Sequence, residues 1–301
     1  MKKAVILTKF FIYDKLKERI NFNEQCEVIV LPVIKKITVQ KKNKERYNIF
    51  FENGNEEAYA FSVSEDVLLK HQLMKGKELS EADMQEIFFR EEIQKAYNQA
   101  INFLSYRMRS EKEVYQHVTE KGYSIDIVKE VIVRLKNNQF INDREFAMSF
   151  VRTQINTGDK GPKVINGVLK EKGINVEIIE EAVSLFSPEL QLEKAEKLCR
   201  KWIQKKKQSS LPKLKLDLQA MLVRKGYVGG IANQAIGIAL EDVDEDQEWN
   251  AIVVQGEKAW NKYHLQENGA RRLKVKQFLF RKGFPLELID RFLAEKQSEN
   301  F

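Results

Sequence analysis

The chain has 301 residues, 43% of them apolar and 32% charged, and its 51 Lys and Arg against 44 Asp and Glu give a formal charge of +7. This length exceeds one small core and the composition excludes wholesale disorder, while the mild positive balance suits a polyanionic partner without requiring one. Cys26 and Cys199 stand far apart in no CxxC pattern, which excludes a disulfide framework and a cysteine zinc site and points to a reducing cytoplasm.

The opening Met1-Lys2-Lys3-Ala4-Val5-Ile6-Leu7 is broken by Lys9 with no small-residue cleavage site behind it, so it does not read as a signal peptide. No stretch approaches the ~20 apolar residues of a membrane span, and a cytoplasmic location is expected. Residues 1–34 form an N-terminal extension of unassigned role, with a short amphipathic helix expected around Phe10 to Ile20 and an apolar run from Val28 to Leu31 before Pro32.

From Lys35 the pattern turns to β. Ile37 to Gln40, Tyr47 to Phe51 and Ala58 to Val63 are rich in β-branched and aromatic residues, and Asn53-Gly54 suits a type I′ hairpin between the last two. A small antiparallel three-stranded region over 35–79 is expected.

Beyond it the chain reads as helix. Ser80 ahead of Glu81 and Asp83 caps a long helix whose apolar stripe runs through Ile87, Ala96, Ala100, Phe103 and Leu104. Similar long helices are predicted from about Asp143 to Thr157, Pro188 to Lys207 and Glu245 to His264. Ser110 before Glu111 and Glu113, Asp143 before Glu145, and Ser187-Pro188-Glu189 each place a capping oxygen and carboxylates at a positive helix end.

After each long helix, lysine, glycine and a large apolar residue recur: Lys121-Gly122-Tyr123, Lys172-Gly173-Ile174, Lys225-Gly226-Tyr227 and Lys282-Gly283-Phe284, with the glycines 51, 53 and 57 residues apart. Eight residues before each glycine stand Val114, Ile165, Leu218 and Val275, and four before it Val118, Leu169, Leu222 and Leu279. That spacing is one helical stripe closed by a Schellman stop. Past the glycine, Ile127/Val128, Ile178/Ile179, Ile231/Ala232 and Leu288/Ile289 open another helix that continues through Val131, Ala182, Ala235 and Phe292. The expected fold is mainly α: tandem three-helix repeats over 80–138, 139–186, 187–240 and 241–301, forming an elongated array after the small antiparallel β region. The acidic run Glu241, Asp242, Asp244, Glu245, Asp246 and Glu248 joins the last two repeats and offers caps for the next helix, its plainer and preferred reading being a solvated linker.

Chemistry-bearing patterns are sparse. His71, His117 and His264 are scattered over separate modules, and His117 fills the slot of Val168, Met221 and Phe278 in the other repeats, which makes it a packed side chain. No phosphate loop, nucleophile elbow or dinucleotide fingerprint is present, so no enzyme, cofactor or metal is expected. The strongest charge feature is Lys194, Lys197, Arg200, Lys201, Lys205, Lys206, Lys207, Lys213 and Lys215, with Glu196 the one acid within the run and Trp202 among them. Such a cluster neutralises phosphates or an acidic protein face, or is simply a solvated helix face. Arg107, Arg109 and Lys112 with Tyr106 form a second cluster, whose plainer reading is capping of helix carbonyls. A helix-turn-helix reader of bases is disfavoured: the helices after the glycines carry Glu177, Glu180 and Glu181, or Glu287 and Asp290, and Val228 to Leu240 has no basic side chain. The lysine before each glycine fits the negative end of the helix dipole.

Two stretches resemble a known family: Phe103-Leu-Ser-Tyr-Arg-Met-Arg-Ser-Glu-Lys-Glu-Val114, and Asp143-Arg-Glu-Phe-Ala-Met-Ser-Phe-Val-Arg152 leading to Gly161-Pro162-Lys163 and Leu169-Lys-Glu-Lys-Gly-Ile174. The family is the RecX regulatory proteins, in a long form with extra C-terminal repeats. The resemblance implies an inhibitor or modulator of the RecA recombinase that lodges along the groove of the RecA filament on DNA and limits ATP hydrolysis and strand exchange; inhibition and a monomer are expected. On that reading the contact surface draws on Arg107, Arg109, Lys112, Arg144, Arg152, Lys160 and Lys163 in the matched region, then on Lys201, Lys205, Lys206 and Lys207. Arg144 and Arg152 lie eight apart, on roughly one helix face. The alternatives are a non-specific single-stranded DNA-binding helical-repeat module that competes for the strand, and a scaffold with an unrelated partner.

Overall fold

The computed structural model describes residues 31–54, 56–243 and 245–298, so the helix expected around Phe10 to Ile20 lies outside the described residues. The chain divides into two compact units, one ending at Asp143 and the other beginning at Arg144.

In the first unit β1 (Ile34–Val39), β2 (Arg46–Asn53) and β3 (Glu56–Ser64) pair antiparallel in that order. One face carries the buried Ile34, Ile49, Phe51, Phe61 and Val63, with Phe51 and Phe61 edge to face at 5.7 Å. β1 starts earlier than the sequence suggests, because Ile34 pairs with Phe51 at the buried end of the sheet. The hairpin is shifted too: Asn53 pairs with Glu56, so the turn begins at Gly54 rather than Asn53. Gly54 has φ +59°, which glycine adopts without a steric cost. The outer edge of β1 is covered by a returning segment, with the Ile34 N–H bonded to the Lys77 carbonyl at 2.9 Å and the Leu79 N–H to the Pro32 carbonyl at 3.0 Å. The short α1 (Glu65–Lys70) continues from β3 and buries Val67.

α2 (Glu81–Ser105) begins with the expected capping box between Ser80 and Asp83. Its first turns set Ile87 into the sheet's core. Its later turns set Ile93, Ala96, Tyr97 and Ala100 into a second core with α3 (Glu111–Glu120) and α4 (Ile125–Asn137). Between the two cores lies Glu91, 3% exposed. It accepts the Ser64 N–H at 2.8 Å and sits 2.7 Å from an Arg46 nitrogen, an ion pair by distance whose angle departs from a hydrogen bond. Ser110 and Glu113 cap α3 reciprocally.

The second unit holds α5 (Asp143–Asn156), which starts at the boundary, then α6 (Pro162–Glu171), α7 (Val176–Ser184), α8 (Pro188–Lys205), α9 (Leu211–Lys225), α10 (Gly229–Glu241), α11 (Glu245–Lys262), α12 (Asn268–Arg281) and α13 (Leu286–Ser298). α5 to α10 share one continuous core that includes Phe146, Ile165, Leu169, Ile179, Leu218, Leu222 and Tyr227. α11 to α13 build another around Ile252, Val275, Leu279 and Phe292.

The repeated glycines behave as the spacing predicts. Gly122, Gly173, Gly226 and Gly283 have φ of 89°, 80°, 91° and 87°. The following amide returns to the helix in three of them: Ile174 to the Leu169 carbonyl, Tyr227 to Leu222 and Phe284 to Leu279, at 3.1, 2.9 and 3.2 Å. All eight residues four and eight before these glycines are fully buried.

Two capping expectations are corrected. Asp143 lies inside the first turn of α5, and its carboxylate accepts the Glu111 N–H at 2.8 Å, closing the start of α3. Burial raises its pKa above the ordinary carboxylate value while that amide bond lowers it. The acidic run is not just a solvated linker: Glu248 accepts the Leu211 N–H at 3.0 Å at the start of α9, and Asp242 pairs with Arg200.

Candidate interaction surface

The basic residues singled out from sequence fall into distinct settings. In the first unit Arg107 donates to the Met108 carbonyl at 3.0 Å and to Glu113 at 2.9 Å, which ties it to the α2–α3 connection. Arg109 lies over the Phe103 ring at 4.1 Å while His117 stacks on the same ring at 3.9 Å, so the phenyl is held between the two. Burial lowers the His117 pKa from its ordinary value, with a further push from nearby Lys121. Arg109 is half-buried with its guanidinium packed on that ring, and its Nε has no hydrogen-bond partner. Lys112 is exposed on α3, and Tyr106 beside the cluster is 85% exposed.

In the second unit Arg144 pairs with Glu181 of α7, an ion pair that raises the guanidinium's pKa through that hydrogen bond and charge. Arg152 and Lys163 are exposed, and Lys160 is half-buried. The Gly161-Pro162-Lys163 motif joins two helix ends, since the Gly161 N–H bonds the Lys225 carbonyl at 2.7 Å and the Lys163 N–H the Gly226 carbonyl at 3.2 Å. The orphan donors opening α6 thus meet the orphan acceptors closing α9, and Pro162 between them has no N–H to satisfy.

Lys201 lies with Lys194, Lys197 and Tyr227 around a crevice of about 240 Å³. Lys194 donates to the Gln154 and Gly158 carbonyls at 3.3 and 3.0 Å, capping the end of α5. Burial pushes the Tyr227 phenol up to about 12 and the Cys199 thiol up to about 11, so both stay protonated at neutral pH.

Lys205, Lys206 and Lys207 surround a larger cleft of about 610 Å³, which also takes in Lys213 and Lys282. The sequence displays the first three as a run; Lys282, more than seventy residues on, joins them because the Ser210 hydroxyl bonds its carbonyl at 2.8 Å.

A register recurs on the second helix of each triplet. The positions ten and three before the repeated glycine are exposed in every case: Lys112 and Thr119, Lys163 and Lys170, Leu216 and Val223, Leu273 and Phe280. The pairs are basic or polar in the first two helices and apolar in the last two, with each of the four apolar side chains more than half exposed. Among the described residues no group of His, Cys, Asp and Glu could hold a metal ion, and no helix is long and apolar enough to cross a membrane.

Four family models match along the chain: the regulatory protein RecX N-terminal domain over residues 32–80, and the RecX first, second and third three-helix domains over 96–135, 142–183 and 245–293. The regulatory protein RecX of Bacillus subtilis (strain 168) is 44% identical over 267 residues, which is 89% of this chain and 100% of that protein. The chain belongs to the RecX family of regulatory proteins. The RecX protein of Geobacillus sp. is 40% identical over 261 residues, covering 87% of this chain and 96% of that one. A crystal structure of a regulatory protein RecX superposes with a TM-score of 0.62 at 35% identity, covering 68% of this chain and 98% of that one. The three-helix RecX domains account for three of the helical triplets, and α8 to α10 lie between the residues matched by the second and third of them.

Proposed function

We propose that this RecX protein binds the RecA recombinase and its filament on DNA, restrains ATP hydrolysis and strand exchange, and so regulates recombination and DNA repair. The observation that carries this reading is the exposed pair at one register of four successive second helices. Several exposed faces of differing chemistry along one chain suit a partner that offers several contact points, because each further contact is made at high effective concentration. The repeats bridge neighbouring RecA subunits, and a modest preference for one filament state, multiplied along the filament, shifts it toward an inactive or disassembling form.

Within the contact surface, Arg152, Lys163 and Lys201 are the exposed cations best placed to meet a partner. Arg107, Arg109 and Arg144 already engage Glu113, Phe103 and Glu181, so they contribute by holding the surface in shape. Co-sedimentation with preformed RecA filaments on single-stranded DNA, with naked DNA in excess, tests the partner. Retention on the filaments despite that excess is expected, whereas partition onto the naked strand would favour strand competition.

A further inference from the structure

We infer that two exposed apolar pairs, Leu216 and Val223 on α9 and Leu273 and Phe280 on α12, dock a protein surface whose apolar patch is rimmed by carboxylates. Naming the RecA subunits as the owners of that surface rests on the reading above. The four side chains are 61%, 56%, 58% and 58% exposed.

Packing within the chain does not account for them. α9 turns Leu214, Leu218, Met221 and Leu222 into the shared core, and α12 turns Val275 and Leu279 into its own. The exposed pairs lie off both buried stripes. Single exposed apolar side chains are ordinary. Here the two of each helix stand two turns apart, about 10.5 Å along the axis, and both pairs occupy the positions ten and three before the repeated glycine. The same anchor is therefore presented twice.

The charge around the anchors selects the occupant. Each of the four adjoins an exposed cation in the chain: Lys215, Arg224, Lys274 and Arg281. α12 carries Arg271, Arg272, Lys274, Lys276 and Arg281 and no acid. Among the described residues only Lys276 of these pairs with a carboxylate, that of Asp290. Like charge disfavours the same face of a second copy. A polyanion would use the cations and gain nothing from Leu216, Val223 or Leu273. A protein surface with an apolar centre and an acidic rim uses both, with the apolar side chains as anchors and the cations setting orientation.

The test is co-sedimentation of the full chain with preformed RecA filaments, run beside fluorescence anisotropy with labelled oligo(dT). The double variants Leu273→Gln with Phe280→Gln and Leu216→Gln with Val223→Gln should each weaken filament binding by about tenfold or more. Their net charge is unchanged, so oligo(dT) affinity should stay within about twofold, and both should unfold at the wild-type temperature because the substituted side chains are exposed. A control with Leu69→Gln and Val133→Gln removes exposed apolar side chains of the first unit and should bind filaments as the wild type does. Undiminished filament binding by both α9 and α12 variants, an equal loss in the control, or a matching loss on oligo(dT) would overturn the apolar anchors and leave the RecA reading standing. A wild type that fails to sediment with the filaments would overturn the partner and the RecA reading together.

Discussion

Glu91 shows how one side chain joins two cores. It takes a backbone N–H of β3 and the guanidinium that Arg46 sends from β2, while its own helix carries Ile87 in one core and Ile93 in the other. Removing one partner of a buried pair leaves the other charge uncompensated, so Glu91→Ala should lower stability by about 3 kcal/mol, read by urea unfolding. A loss below about 1 kcal/mol would show that water reaches Arg46 and replaces the carboxylate. This role was not legible in the sequence, because a glutamate within a charged stretch of α2 reads as surface and Arg46 is far from it along the chain. His117 was legible, since the equivalent repeat positions hold Val168, Met221 and Phe278, and it stacks on Phe103 as a packed residue. Its pKa is lowered on folding, so the unfolded chain takes up the proton more readily and acid favours unfolding. His117→Phe lacks that liability. The stability difference between variant and wild type should therefore widen as pH falls through the ordinary value of 6.5 and level off below the folded pKa; a difference independent of pH would contradict the assignment.

At the scale of elements, the ends of helices carry the organisation. α6 begins against the glycine turn that ends α9, so closely that a Cβ on Gly161 would lie 2.6 Å from the Gly226 carbonyl carbon. Gly167, within the same helix, would place a Cβ in open space. Thermal unfolding of the two alanine variants should accordingly move in opposite directions. Gly161→Ala should destabilise by about 2 kcal/mol through backbone overlap, and Gly167→Ala should stabilise by about 0.5 to 1 kcal/mol through helix propensity. Two stabilising substitutions would mean that the α6–α9 contact yields easily. The helices, their glycine stops and the capping of α2 and α3 followed from local patterns, because periodicity and caps act within a few residues. The strand register did not, since Asn53-Gly54 favours one turn while the pairing of Asn53 with Glu56 places it one residue later. Nor did the caps that come from other helices, Asp143 on Glu111 and Glu248 on Leu211. A carboxylate that completes a distant helix looks in sequence like a cap for its own helix or a solvated acid.

For the whole molecule, the fourfold repeat implied separate modules, and the packing qualifies that picture. α5 to α10 share one core, while α2 to α4 and α11 to α13 each keep their own. Sharing follows from burial, because three short helices leave apolar surface that a neighbouring triplet can cover. Membership of the RecX family was visible in two motifs whose parts now have structural roles, in that Arg109 braces Phe103, Arg144 ties α5 to α7, and Gly161-Pro162-Lys163 receives the end of α9. The cleft that joins Lys205, Lys206 and Lys207 to Lys282 was not visible, as it depends on the contact between α9 and the end of α12. Action on the RecA filament is tested by RecA ATP hydrolysis on single-stranded DNA as this protein is titrated into preformed filaments at fixed salt with DNA in excess. Inhibition at amounts well below one protein per RecA subunit is the expected result. Inhibition that appears only as the protein approaches the number of DNA sites, or no effect at any ratio, would contradict it.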